Sequence, residues 1–308
     1  MDNKAFFCIL IAFIFFLLLF QQGLFYESND NAEHREMGRK PGYNLEYAPL
    51  LRSFSGWFAW ANHFWFALIL FLFVVITPLL LYKITNNWLA VPFYFLTTNY
   101  FYAIVGAGLY AQGLLVIFLL AMVFFKNNYV RLVLFFVGSL AHSTAPLLLG
   151  AWVLLLVFEE NFYQQLVSKF KKKFPTGFVL GCSPIFGNNT PKVLQQEVSN
   201  VTGKPWSLNF GGLLSFFIKT CPLPFLLVAI KEWFSKKRVS FFVLSITAFC
   251  FSFFWNDRIL LVIAPLMVVG FTNYYPRLNN KLFWWVLLLI FGLFHFQQYV
   301  WVVFAIGC

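Results

Sequence analysis

The sequence predicts an all-α fold, a polytopic transmembrane helical bundle of about nine spans that forms a single integral membrane domain over residues 1–308. Of the 308 residues, 61% are hydrophobic, 22% are aromatic and only 11% are charged. Soluble domains have about 45–50% apolar and about 25% charged residues, and disordered chains are poor in aromatic residues. The mean hydropathy of +0.75 points the same way. The composition therefore excludes both of these classes.

Nine continuously apolar segments predict the helices. We expect them at residues 4–25, 63–83, 87–105, 107–125, 131–158, 208–230, 238–255, 259–275 and 281–306. The segment 131–158 has two interpretations, either one long kinked helix or a hairpin that reverses at residues 141–146. Because 28 residues are roughly half of what two crossings need, the long helix is expected.

Two polar segments predict extracytoplasmic loops that contain interfacial helices. The first outer loop, residues 26–62, ends in a Trp-rich stretch typical of a helix at headgroup depth, and the second outer loop, residues 159–207, starts with a basic amphipathic stretch. Lys and Arg placement predicts a cytoplasmic N-terminus in the plasma membrane. The expected cytoplasmic cations are Lys4, Lys83, Lys126, Arg131, Lys231, Lys236, Lys237, Arg238, Arg277 and Lys281.

The charge and cysteine content limit the classes of partner. The formal net charge is +11, and in a chain of this composition such an excess indicates contact with anionic membrane lipid rather than with nucleic acid. No nucleic-acid-binding motif occurs in the sequence. The five cysteines are dispersed, which predicts neither a disulfide framework nor a zinc site.

Five of the eleven acidic residues fall in the first outer loop, and Asp30 is the candidate catalytic residue among them. A carboxylate held against an apolar surface can act as a general base toward a hydroxyl acceptor, because desolvation raises its pKa. Glu27, Glu33 and His34 are possible supporting residues, and carboxylates at this spacing could also hold a divalent cation. The alternative is a solvated charged loop with no chemistry.

Cations supply the complementary half of the predicted site. Arg258 lies at the mouth of an otherwise uncharged helix, where a guanidinium can bind phosphate through two hydrogen bonds or simply anchor the helix at the interface. Lys219 lies inside a predicted span, where an ammonium group is costly unless it is paired or hydrated. His142, next to Ser143 and Thr144, is a further candidate polar group. Together these residues suit a lipid-linked sugar donor activated by phosphate.

Several segments resemble the GT-C superfamily of polytopic glycosyltransferases, namely the acidic first loop (ESNDNAEHRE) and the late segment NDRILLVIAPLMVVG. The branch that looks nearest is the EpsG/Wzy-like polysaccharide polymerases, which are similar to the segments KPGYNLEYAPLLRSF and AQGLLVIFLLAMVFFKNNYVRLVLFFVGSLAHSTAPLLLG. The resemblance implies a polyprenyl-phosphate or polyprenyl-diphosphate donor, an acidic catalytic residue at Asp30 and a donor-phosphate contact at Arg258. The alternative functions are a transporter or flippase and a non-catalytic assembly subunit.

Overall fold

The computed structural model describes residues 3–23, 68, 70–97, 110–141, 145–146, 148–150, 152–157, 159, 222–238, 240–245 and 263–304. Within these ranges the chain is helical and contains no strand. The helices are α1 (Asn3–Gly23), α2 (Thr77–Thr85), α3 (Ala90–Thr97), α4 (Tyr110–Phe124), α5 (Asn128–Ser139), α6 (Leu223–Ser235), α7 (Ile263–Tyr274) and α8 (Lys281–Phe304).

The predicted transmembrane bundle is contradicted. In the ranges that the structure describes, no helix combines the length and the apolarity needed to cross a membrane. The six helices from α2 to α7 have 8 to 15 residues, whereas a crossing needs about 20. The expected integral placement in the plasma membrane, with a cytoplasmic N-terminus, is corrected on the same finding. The first predicted outer loop, residues 26–62, lies outside the described residues, and of the second, residues 159–207, only Glu159 is described.

A π-helical turn, Leu72–Ile76, leads directly into α2. Pro78 has no N–H to donate to the carbonyl four residues earlier, and its ring would clash with that carbonyl in a regular helix. The wider turn relieves this conflict, because the Thr77 backbone N–H and its hydroxyl, at 3.0 Å, both donate to the Leu72 carbonyl. Pro78 thus explains why the helix widens at this point.

The connection between α2 and α3 is a tight turn at residues 86–89. Asn86 ends α2 in the left-handed conformation, with φ 51° and its N–H bonded to the Tyr82 carbonyl. Asparagine tolerates this conformation better than most residues. Asn87 Oδ1 then accepts from the Leu89 N–H at 3.1 Å, which helps α3 to begin. The two helices therefore form an antiparallel pair, and α1 packs against both.

The helices α7 and α8 both pack on α3, and α7 also packs along α6. Aromatic rings fill the contact: Phe93 of α3 lies 5.0 Å from Phe271 and 5.1 Å from Tyr275, measured between ring centroids. Phe225 of α6 lies 4.8 Å from Phe271 on the other side. Edge-to-face aromatic pairs of this kind are stabilised beyond their buried area. This aromatic cluster is the centre of the core.

The single long helix expected over residues 131–158 is wrong. The helix α5 ends at Ser139, and the chain then reverses. Gly138 leaves so little room beside Leu149 that a Cβ would lie 2.6 Å from the Leu149 Cδ1, and a Cβ on Gly150 would lie 3.4 Å from Phe135 Cε2. The described residues 145–146, 148–150 and 152–157 therefore run back along α5, and we call them the returning segment. The length argument against a hairpin assumed two membrane crossings of about 20 residues each, whereas α5 has only 12 residues.

The outer faces of α1 and α8 are as apolar as their inner faces. In α1 the buried side chains include Ala5, Ala12 and Phe16, at the spacing of one helix face. The opposite face exposes further large apolar side chains, and α8 repeats the pattern. The exposed residues are Phe6, Phe7, Leu10, Ile11, Phe13, Ile14 and Leu17 of α1, and Leu282, Phe283, Val286, Leu289, Ile290, Leu293 and Phe294 of α8.

Candidate functional site

The residues assigned to the predicted site lie outside the described part of the chain. They are Asp30, Glu27, Glu33, His34, Arg258, Lys219 and His142. The structure neither brings them together nor separates them, so their roles stay predictions. The possible divalent-cation site belongs to the same loop; within the described ranges, no group of three His, Cys, Asp or Glu side chains could hold a metal ion.

The described residues carry a different cluster of charges. They contain ten Lys or Arg residues and two acids, Glu159 and Glu232, which leaves a surplus of eight positive charges. We call the ten cations the basic end: Lys4, Lys83, Lys126, Arg131, Lys231, Lys236, Lys237, Arg238, Arg277 and Lys281. These are the same ten residues that were expected together on the cytoplasmic side, because they flank the apolar segments.

Contacts between helices place two turns, which carry four of these cations, at the same end of the bundle. Lys83 lies in the last turn of α2, and Lys4 Nζ lies 5.6 Å from the ring centroid of Trp88 in the following turn. The helix α3, which starts at this turn, contacts Tyr275 through Phe93. Tyr275 belongs to the turn between α7 and α8, and the cations of that turn are Arg277 and Lys281.

The C-terminal end of α6 joins this group through Tyr274. Lys231 Nζ lies 5.3 Å from the centroid of the Tyr274 ring, and the Arg277 guanidinium lies 5.7 Å from the same centroid. Lys236, Lys237 and Arg238 follow directly after α6. The ends of α6 and α7 therefore lie side by side, although 45 residues separate Glu232 from Arg277.

The turn between α4 and α5 lies at the same end. The helix α4 packs along α2, and Phe73 at the start of the π-helical turn leaves no room for a Cβ on Gly113 at the start of α4. The two helices therefore run in the same direction and finish together. Lys126 follows α4, and Arg131 Nε donates to the carbonyls of Met122 at 3.0 Å and Phe125 at 2.8 Å. All ten cations thus lie at one end of the bundle.

Glu232 is the buried centre of the basic end, with its side chain 2% exposed. Arg277 Nη1 donates to Oε2 at 2.8 Å. Lys236 Nζ lies 3.0 Å from Oε1 as an ionic contact without hydrogen-bond geometry, and Ser235 Oγ lies 3.2 Å from Oε2. A buried carboxylate is stable only when it is paired in this way. The pairing holds α6 against the turn that follows α7.

The backbone at the end of α6 explains why Glu232 and its cations meet. Lys237 adopts the left-handed conformation at φ 55°. The Arg238 N–H bonds to the Trp233 carbonyl at 2.9 Å and the Lys237 N–H to the Phe234 carbonyl at 3.1 Å. This is the Schellman arrangement, in which the residue after the helix is usually glycine. It turns the chain sharply and keeps Lys236 above the Glu232 carboxylate.

The second acid, Glu159, is also engaged. Ser240 Oγ donates to Glu159 Oε1 at 2.7 Å, across 81 residues of sequence. Ser240 comes shortly after Arg238, so the returning segment ends at the basic end. The Phe241 ring connects the same region to the core, because it lies 5.3 Å from Trp152 and 5.8 Å from Trp233 between centroids. Both described acids are therefore engaged in contacts within the chain.

The arrangement is suited to anion binding rather than to general base catalysis. Glu232 is buried and is held between two cations, so a substrate hydroxyl cannot reach its carboxylate as a general base requires. Eight of the ten cations are exposed, with Arg131 and Arg238 partly buried. Within the described ranges, the buried Trp233 Nε1 and Thr272 Oγ1 have no hydrogen-bond partner, but no contact joins these two atoms into a common site.

Comparisons with known proteins add no relative: no family model, no curated protein and no solved structure matches the chain. The resemblance to the GT-C superfamily, and to its EpsG/Wzy-like branch, therefore stays a prediction.

Sequence reasoning did not identify Glu232 as a structural centre. The only local signal was a single acid in the segment AIKEWFSKKR, where four of its ten residues are apolar and four are basic. Such an acid could have been read as needing a partner, because an unpaired carboxylate is costly to bury. Its partner Arg277 could not be found from spacing, since the contact depends on the packing of α6 against α7.

Proposed function

We propose that this chain is a glycosyltransferase that takes its sugar from a polyprenyl-phosphate-linked donor. The observation that carries the proposal is the exposed apolar face of α1 and of α8, where Ile11 is 64% exposed and Leu293 is 68% exposed. Large exposed apolar patches mark interaction sites. A polyprenyl chain is a long apolar ligand that can cover such a face, and the sequence resemblance supplies the same donor class.

The proposed reaction is displacement at the anomeric carbon of the donor sugar. Asp30 accepts the proton of the acceptor hydroxyl, whose oxygen forms the new glycosidic bond. The bond between the anomeric carbon and the phosphate oxygen breaks, and polyprenyl phosphate leaves with the electron pair. Arg258 and Lys219 bind the phosphate and stabilise the negative charge that develops on it. Glu27, Glu33, His34 and His142 are the proposed supporting groups.

The test is transfer of a radiolabelled sugar from polyprenyl phosphate by the purified full chain in neutral detergent, with and without EDTA. Asp30→Asn should lower kcat by about 10²- to 10⁴-fold, the usual contribution of a general base. Glu46→Gln, another acid of the same segment, is the matched control and should retain activity. Arg258→Ala should raise the KM for the donor and lower kcat, because it removes a phosphate ligand.

Each outcome has a definite meaning. Equal rates for the Asp30→Asn variant and the unaltered chain would remove Asp30 from the mechanism. Absence of transfer by the unaltered chain from every polyprenyl-phosphate sugar offered, with divalent cations present, would overturn the proposal itself.

A further inference from the structure

We infer that the basic end binds the phosphate headgroups of anionic lipids. This surface contains none of the residues assigned to sugar transfer, so it would be a second, separate interaction of the chain. It also requires no helix that crosses a bilayer. The proposal goes beyond glycosyl transfer and rests on the charges, rings and exposed apolar side chains of the described residues.

The first argument is the excess of exposed positive charge. Lys4, Lys83, Lys126, Lys237 and Lys281 are exposed cations that make no ion pair with either described acid. Glu232 is buried and Glu159 is hydrogen-bonded to Ser240, so the acids do little to offset this charge. Clusters of four to eight Lys and Arg residues are typical of surfaces that bind anionic lipid.

The second argument is the position of the cations over aromatic rings. Six of the ten lie within 6.0 Å of a ring centroid: Lys4 over Trp88, Lys83 over Tyr82, Lys231 and Arg277 over Tyr274, Arg238 over Phe241, and Lys281 over Tyr275. Four of the five rings are Trp or Tyr. Trp88 and Tyr274 are partly exposed, whereas Tyr82 and Tyr275 are buried. The first two rings can therefore reach the layer between headgroups and acyl chains, which Trp and Tyr favour.

The third argument distinguishes lipid from nucleic acid, which would also bind a basic surface. Large apolar side chains are exposed among the cations: Phe7 is 60% exposed, Tyr129 83%, Phe234 59% and Leu282 74%. A headgroup layer can accept both kinds of group, since the cations meet phosphate while the apolar side chains enter the acyl boundary. A phosphodiester backbone offers no comparable place for Leu282 or Phe7. The mixture therefore favours an anionic lipid.

The experiment measures lipid binding by the full chain in a neutral maltoside micelle. The probes are fluorescent phosphatidylglycerol and fluorescent phosphatidylcholine of equal chain length, and the readout is fluorescence anisotropy. Phosphatidylglycerol should bind more tightly, and added salt should weaken its binding because exposed charges are screened. Equal affinity for the two lipids would overturn the proposal. A fluorescent single-stranded DNA that binds more tightly than phosphatidylglycerol, and displaces it, would replace lipid with nucleic acid and also overturn it.

The variants test the residues. Lys83→Gln combined with Lys281→Gln should weaken phosphatidylglycerol binding about 25-fold, since each cation near an anionic surface contributes about fivefold. Phosphatidylcholine binding should not change. The charge-preserving control, Lys83→Arg with Lys281→Arg, should bind as the unaltered chain does. Unchanged binding by the Gln variant would contradict the proposal.

A variant at a single exposed position keeps the test decisive if the double variant misfolds. If the double Gln variant loses helical circular dichroism, Lys126→Gln replaces it, because Lys126 is exposed in the turn between α4 and α5. Its expected loss is about fivefold in affinity, and an unchanged affinity there again contradicts the proposal. Loss of lipid binding with sugar transfer intact, or the reverse, would separate this inference from the proposed enzymatic function.

Discussion

The Arg277 guanidinium donates to the Glu232 carboxylate at 2.8 Å, between residues that lie 45 positions apart. The two ends of this ion pair lie in different surroundings: the Glu232 side chain is 2% exposed and the Arg277 side chain is 52% exposed. Removing either partner therefore has a different consequence. Water can solvate a cation that is left alone at the surface, but it cannot reach the buried carboxylate.

Arg277→Met should destabilise the chain more than Glu232→Gln does. We expect Arg277→Met to lower the free energy of unfolding by about 1–3 kcal/mol, below the 3–5 kcal/mol typical of fully buried pairs, because Lys236 still lies beside the carboxylate. Glu232→Gln leaves only exposed cations unpaired and should cost less. Denaturant unfolding in neutral detergent measures both values.

The double variant is the internal control. In Glu232→Gln with Arg277→Met the loss should be close to that of Glu232→Gln alone, since the buried charge is gone before its partner is removed. Losses that simply add would show that the two side chains do not interact, contrary to the geometry.

The ends of the helices were predictable where charged residues interrupt apolar runs. The last expected segment, 281–306, corresponds to the observed Lys281–Phe304, and the first, 4–25, to Asn3–Gly23. In both cases a lysine lies at or next to the start of the apolar run. Charge and apolarity are local properties, so these bounds did not depend on knowing the packing. The roles assigned to Asp30 and Arg258 could not be examined in this way, because both lie outside the described residues.

The reversal after α5 was the alternative interpretation of the sequence, a hairpin at residues 141–146, but the long helix was expected instead. Residues 131–158 form one apolar run, and a length argument based on membrane crossings favoured a single helix. The structure instead pairs two shorter helical pieces, which Gly138 and Gly150 allow to approach closely. The role of a glycine in close packing can be recognised from the sequence only when its neighbour in the fold is known. Tertiary contacts, rather than local preference, therefore decided this part of the fold.

Lys237→Gly should stabilise the chain by about 1 kcal/mol. Lys237 has a φ of 55°, and this left-handed conformation brings its Cβ too close to the following carbonyl oxygen, a conflict that glycine avoids. The measurement is the midpoint of denaturant unfolding. Lys237→Ala is the matched control: it removes the same charge but keeps the Cβ, so it should give no increase in stability. An equal gain from both variants would assign the effect to charge rather than to backbone conformation.

Gly270→Ala should separate α6 from α7. A Cβ at this position would lie 2.7 Å from Ala229 Cβ and 2.8 Å from both Ala229 Cα and Trp233 Nε1, and the Ala229 backbone cannot move aside as a flexible side chain could. Overpacking of this kind costs about 1–3 kcal/mol.

Gly150→Ala serves as the comparison for that variant. There the new Cβ would lie 3.4 Å from Phe135 Cε2, close to ordinary van der Waals contact, and alanine also favours a helix over glycine. Thermal unfolding should therefore show a lower Tm for Gly270→Ala and little change, or a small rise, for Gly150→Ala. The reverse order would contradict the close approach of α6 and α7.

Tyr94 makes the stability of the chain sensitive to alkaline pH. Its hydroxyl donates to the Phe73 carbonyl at 3.0 Å inside the core, and burial raises its pKa above the ordinary value near 10, partly offset by a hydrogen bond with the Thr77 side chain. The folded chain therefore favours the neutral phenol. Below about pH 10 the unfolded chain carries the same neutral phenol, so no stability is lost; above it, the unfolded state ionises and gains free energy that the folded state does not share. Stability should fall as the pH rises beyond that point.

Tyr94→Phe isolates this contribution. The variant should lose about 1 kcal/mol of stability near pH 8, because the Phe73 carbonyl no longer receives its side-chain hydrogen bond. Its stability should then decline less steeply between about pH 10 and pH 11.5 than that of the unaltered chain, since one buried ionisable group is missing. Tyr129→Phe is the control, because Tyr129 is 83% exposed and should leave the alkaline slope unchanged. Parallel alkaline slopes for the Tyr94→Phe variant and the unaltered chain would show that the buried phenol does not govern the response.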